Sequence, residues 1–159
     1  MSEICSTSCW QYAIDNPNCF PKIGFTKVCF MSGNYTCASS SGFTILSDEL
    51  SFINYGLYHP DEIIGKFIKI KGNEYKVTKA TNSIINLSNS KNGRGIFIYR
   101  SPPLLFIGVY NDAFRLHVYQ REEWFKNIQE IINGVVFSIT IGTTSKVHEI
   151  FKNKNNNKR

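Results

Sequence analysis

From Phe67 to Tyr110 the chain is a succession of short apolar runs separated by turn residues, and this leaves room for little but an antiparallel sheet. Ile68 and Ile70 alternate with Lys69 and Lys71, and Tyr75 and Val77 alternate with Lys76 and Thr78. A period of two marks strands with one buried and one wet face. Gly72-Asn73 reads as a two-residue hairpin loop between Phe67–Lys71 and Glu74–Lys79. Ser83–Ser88 is the next strand, and Lys91–Gly95 is a basic turn containing glycine. Ile96–Arg100 and Leu104–Tyr110 form a second hairpin around Ser101-Pro102-Pro103. Both prolines belong in the turn, because neither has an amide hydrogen to give to a ladder.

The flanking segments predict helices and one further strand pair. Ser6, Thr7 and Ser8 offer N-caps for a helix through Trp10–Asp15, which stops at Asn16-Pro17. Thr26–Met31 and Tyr35–Ala38 read as strands joined by Ser32-Gly33-Asn34. Ser47 caps a helix with Asp48 and Glu49 in its first turn, where the helix dipole favours acids. Leu50, Ile53 and Leu57 recur at helical spacing on its buried face, and Pro60 closes the region. A long helical pattern runs from Leu116 to Asn133, with Trp124, Ile128, Ile131 and Ile132 on its apolar side and Gly134 as C-cap. The expected class is α+β: one antiparallel sheet with helices packed on it. Residues 1–134 are expected to form the domain. Residues 135–159 are expected to be an extension with an extra strand over Val135–Ile141, an extra helix, and then a basic flexible tail.

Composition excludes several functions. At 159 residues the chain has the size of one domain and needs no disulfide or metal to build a core. The stretch Met1–Trp10 has neither a basic nor an apolar segment of the kind a secretory leader carries. No apolar run approaches the roughly 20 residues of a membrane span. A reducing cytoplasm is the expected location. Cys5, Cys9, Cys19, Cys29 and Cys37 include no CxxC pair and have no histidine nearby, so they read as free thiols rather than metal ligands. Cys29 fits a buried position, and Cys5 and Cys9 fit exposed ones. No paired carboxylates, nucleophile–base set or phosphate loop emerges, so no enzyme, cofactor or metal is expected. His59, His117 and His148 are scattered.

The net charge of +6 favours an acidic partner. Between Glu62 and Arg100 there are eight Lys and Arg against two Glu, several of them at alternate strand positions. This pattern is either a solvated face or a docking face. Arg94-Gly95-Ile96-Phe97-Ile98-Tyr99 faintly resembles the aromatic strand of RNA-recognition motifs. One glycine or alanine of that pattern is missing and the element order differs, so ordinary strand alternation is the preferred reading. A basic RNA-binding module using Phe97 or Tyr99 stays a rival, as does a longin- or roadblock-like interaction scaffold.

Four segments resemble the profilin family, in the family's order, across residues 8 to about 134. Residues Gly95 to Tyr110, GIFIYRSPPLLFIGVY, are similar without a gap to the profilin hairpin that reads roughly GITIKKTxQALVIGIY. Gly72-Asn73-Glu74-Tyr75-Lys76-Val77 is similar to the GTKYMV strand. Residues 41–49, SGFTILSDE, resemble the SxFPxLxPEE start of the second helix, and Trp10–Asn16 resembles WQAYVDN. The resemblance implies a central antiparallel sheet with helices packed on both faces. It implies a cytoplasmic, cytoskeletal, non-enzymatic protein that binds actin monomers and regulates their polymerisation.

The resemblance also implies sites. Carried over by position, it assigns Lys76, Lys79, Phe114, Arg115, Arg121 and Trp124 to an actin-binding surface, with Lys91 and Arg94 nearby. Actin is acidic, so a basic rim would steer encounter. Trp124 is left open between interface anchor and core residue. A second implied surface binds poly-proline in an aromatic groove between the terminal helices. There the chain offers Trp10, Tyr12 one position early, Tyr35 as the aromatic nearest an expected tryptophan, and Gln129 where a histidine is expected. Proline-rich proteins and anionic phosphoinositide lipids are the further partners implied.

Overall fold

The computed structural model describes residues 7–20, 24–111 and 126–136. In chain order they form α1 (Thr7–Asp15), β1 (Phe25–Ser32), β2 (Tyr35–Ser39), α2 (Ser47–Tyr58), α3 (Pro60–Ile63), β3 (Phe67–Ile70), β4 (Asn73–Ala80), β5 (Ile84–Ser88), β6 (Arg94–Ser101) and β7 (Leu104–Asn111). Residues 126–136 add the helix α4. The seven strands make one sheet of order β2-β1-β7-β6-β5-β4-β3, and every neighbouring pair is antiparallel. This is the α+β architecture expected, with helices on both faces.

Strand parity divides the core in two. On one face, Val28, Phe30, Phe97, Tyr99, Leu104 and Phe106 pack with Trp10 and Ala13 of α1 and with Ile128, Ile131 and Val135 of α4. Phe106 sits at the centre, its ring 5.1–5.2 Å from those of Phe20, Phe25 and Phe30. On the other face, Tyr75, Val77, Ile85, Leu87, Ile96, Ile98 and Ile107 pack with Leu50, Ile53 and Leu57 of α2 and Ile63 of α3. The middle strands therefore read as almost unbroken apolar runs, because helices cover both of their faces. The first core takes no fully buried residue from β3, β4 or β5. Ile84 of β5 packs against this core, and the rest of that face of β3, β4 and β5 takes no part in it among the described residues.

Several boundaries differ from the sequence reading. The β3–β4 loop is Lys71-Gly72, one residue earlier than expected, because Ile70 pairs with Asn73. Both loop residues have positive φ, 54° and 78°, as a type I′ turn requires. Lys71 is held in this conformation by Glu49. The buried Glu49 carboxylate accepts the Lys71 N–H at 3.1 Å and the Leu46 N–H at 2.8 Å. Leu46, not Ser47, is thus the N-cap of α2, and Glu49 at the third helical position supplies the missing partner. Pro60 does not end the region but begins α3. Thr7 and Ser8 lie inside α1 rather than capping it, and Ser6 is outside the described residues.

At the C-terminal end α4 continues through Gly134, Val135 and Val136, so Gly134 is no C-cap and the expected strand does not start at Val135. Val135 is buried in the core, which favours extending the helix by a further turn. The rest of that strand, the start of the long helical pattern and the tail lie outside the described residues. Among the described residues no helix is long and apolar enough to cross a membrane.

Glu49→Ala removes the acceptor that ties the α2 start to the β3–β4 turn. The expected cost is about 1–3 kcal/mol, since two backbone N–H groups lose a charged partner. Urea unfolding should show a lower midpoint at unchanged slope; an unchanged midpoint would show that the turn is held by other contacts.

Candidate functional site

The uncovered face of β3–β5 is set by register. Phe67 lies opposite Lys76, and Lys76 opposite Ser88. Buried Tyr75 and Val77 fix the parity of β4, which sends Lys76 to the open side. Strict alternation would then turn Lys79 into the α2-side core. A bulge between Val77 and Lys79 prevents this: Lys79 pairs with Asn86 and stays exposed, while Ala80 takes the inner position. Sequence periodicity alone carries no sign of the extra residue.

Phe67, Asn73, Glu74, Lys76, Thr78, Asn86, Ser88, Asn89, Ser90, Lys91 and Asn92 line a cleft of about 790 Å3 on this side. Its floor is a closed hydrogen-bond network. Asn86 Nδ2 donates to Thr78 Oγ1 at 2.8 Å, and the Tyr110 hydroxyl donates to Asn86 Oδ1 at 2.8 Å. The 89–94 turn is held the same way. Asn89 Oδ1 accepts the N–H groups of Lys91 and Asn92, at 2.8 and 3.2 Å, and Asn92 Oδ1 accepts that of Arg94 at 3.0 Å. This wiring presents the Lys91 side chain at the cleft edge. Tyr110 reaches Asn86 only because Gly95 lacks a side chain; a Cβ there would sit inside the Tyr110 ring.

The candidate actin-binding residues divide accordingly. Lys76, Lys79 and Lys91 are exposed, and the cleft brings Lys76 and Lys91 together. Arg94 is not with them. It shares strand parity with Ile96 and Ile98 on the α2 side, and its charge acts on Tyr75. Burial raises the Tyr75 phenol above its ordinary value, and Arg94 opposes part of that rise. Phe114, Arg115, Arg121 and Trp124 lie outside the described residues. Phe67, Asn86 and Tyr110 are the residues the sequence reading passed over. The available signal was that Phe67 shares the strand face of Lys69.

The candidate poly-proline residues do not form one open aromatic surface. Trp10 is 0% exposed, its ring 4.3 Å from that of Phe30, so it braces the core and lines no groove. Tyr12 is half-buried against the same core. Tyr35 is 48% exposed at the start of β2. Gln129 Nε2 donates to the Tyr99 hydroxyl at 3.4 Å.

Other candidate chemistry is accounted for. Cys9, Cys19 and Cys29 are buried and in no disulfide, which corrects the exposed reading of Cys9. Burial pushes the Cys29 thiol up to about 12, so it stays protonated and unreactive at neutral pH. Cys37 departs from the free-thiol expectation and is disulfide-bonded. Among the described residues no group of three or more His, Cys, Asp or Glu side chains is placed to hold a metal ion. Phe97 and Tyr99 are buried in the α1–α4 core, so neither offers a face for stacking on a base.

One antiparallel sheet between two helical layers, with a basic cleft at an end that no described helix covers, defines the class of domain. The profilin family model matches residues 8–133, and the chain belongs to the profilin family, whose members are non-enzymatic actin-binding proteins. No curated protein matches the sequence. Among solved structures, profilin IB of Acanthamoeba castellanii is similar at a TM-score of 0.63 and 17% identity, covering 84% of this chain and 99% of that one. The profilin of Schizosaccharomyces pombe is similar at 0.60 and 15%, with the same coverage. LokiProfilin1, solved in complex with rabbit actin, is similar at 0.53 and 16%, covering 88% of this chain and 96% of that one. At these identities the neighbours show the fold. A longin- or roadblock-like scaffold is set aside by the family match.

Proposed function

We propose that this chain binds actin monomers and regulates their addition to filaments. The observation that carries this reading is the basic face of β3–β5, which no described helix covers and where Lys76, Lys79 and Lys91 are exposed. Membership of the profilin family and the solved complexes of LokiProfilin1 and LokiProfilin2 with rabbit actin support it. The resemblance to profilins would add Phe114, Arg115, Arg121 and Trp124, which lie outside the described residues, to the same partner's contacts. A bound chain would occupy one end of the monomer, blocking growth from that end while leaving the other free. This activity places the protein in the cytoplasm with the cytoskeleton.

Two finer partners complete the reading. Anionic phosphoinositides would meet the lysines of β3, β4 and the 89–94 turn, through the same electrostatics that attract actin. A proline-rich segment would draw on Tyr12, Tyr35 and Gln129, without Trp10.

The test is actin assembly with actin from the source organism. An excess of the chain should slow nucleation, and chain and actin should co-elute. The double variant Lys76→Glu, Lys91→Glu should weaken binding roughly tenfold at low salt and less at high salt, as charge steering requires. Unchanged assembly kinetics together with no co-elution would overturn the reading.

A further inference from the structure

The cleft contains one large apolar side chain that its surroundings do not explain. Phe67 is 61% exposed, although it sits in a strand whose neighbours Ile68 and Ile70 pack inward. It stands directly across from Lys76, and Lys69 shares its face of β3. An exposed phenylalanine on an edge strand invites aggregation, a risk the adjacent lysines lower. The remaining polar groups of the cleft do not ask for a small ligand. Asn86, Asn89 and Asn92 are engaged with Thr78, Tyr110 and the backbone of the turn, and Asn73 donates to the Lys71 carbonyl. Selective small-molecule sites converge several polar groups on the ligand. Here the four asparagines are spent on Thr78, Tyr110 and the backbone. What the cleft presents outward is one aromatic ring with lysines around it and a single carboxylate, Glu74.

An apolar side chain set beside charged groups is the anatomy of an anchor residue at a protein interface. We propose that Phe67 is the apolar anchor of the actin-binding face, entering an apolar recess of the monomer within a rim formed by Lys69, Lys76 and Lys91. The inference rests on the actin reading and adds to it the residue that supplies affinity rather than steering. The rim is basic, so the occupant is acidic around its recess, as actin is. Phe67 and the lysines then have separable roles. The ring determines how slowly the complex falls apart, and the charges determine how fast it forms.

The experiment measures binding of the full chain to actin monomers at several salt concentrations, for the natural sequence, Phe67→Ala, Phe67→Leu and Lys76→Glu. Phe67→Ala should raise the Kd at least about tenfold at every salt concentration, mainly through faster dissociation. Phe67→Leu should lose less. Lys76→Glu should instead slow association and flatten the salt dependence. Because Phe67 is mostly exposed, Phe67→Ala should keep the natural thermal midpoint. Natural binding together with a Phe67→Ala Kd within twofold of it would overturn the anchor and leave the actin reading standing. Absence of binding by the natural chain would overturn the actin reading itself.

Discussion

Trp10→Ala is expected to destabilise the domain by about 3–5 kcal/mol, the usual cost of truncating a large aromatic in a packed core. The indole is fully buried, 4.3 Å from the Phe30 ring, and Phe30 in turn packs at a tilt against Phe20 and Phe106. Removing it opens a void in the cluster that holds α1 to the sheet. Denaturant unfolding measures the loss. A companion experiment separates a core role from a groove role. In a Trp124→Phe background Trp10 is the remaining tryptophan, and its fluorescence should not respond to poly-proline. A loss of stability below about 1 kcal/mol, the level of an exposed site, together with a fluorescence response would return Trp10 to an open groove.

Gly95→Val is expected to cost about 2–4 kcal/mol. A side chain at this position must push the Tyr110 ring off the sheet, which combines overpacking with the loss of the Asn86 hydrogen bond. Tyr110→Phe isolates the second part and should cost about 1 kcal/mol. Thermal unfolding of both variants checks the order. Equal stability of Gly95→Val and the natural chain would mean that the ring has somewhere else to go. The effect reaches the cleft, because Asn86 is also bonded to Thr78 at the bulge that turns Lys79 outward.

The sheet was readable in the sequence because its strands carry their own periodicity. Ile68, Ile70, Tyr75 and Val77 announced which face is buried, and all four pack on the α2 side. Helix ends were less readable. Gly134 looks like a C-cap by residue type, but Val135 has core to bury and the helix continues to reach it. The Lys71-Gly72 turn depends on a carboxylate 22 residues upstream, which no local pattern reveals. For the site, Lys76 followed from parity. Lys79 needed the bulge, and Arg94 fell on the opposite face because two residues of parity separate it from Ile96. Trp10 shows the limit of assigning roles by resemblance, since the matching residue is present and its ring is enclosed.

Hydrogen–deuterium exchange of the chain with and without saturating actin monomer tests the central claim most directly. Protection is expected along β3, β4 and β5 and across residues 89–94, with α2 and α3 unchanged on the covered face. Protection confined to α2 and α3, or none at all, would contradict the assignment of actin to the uncovered face of the sheet.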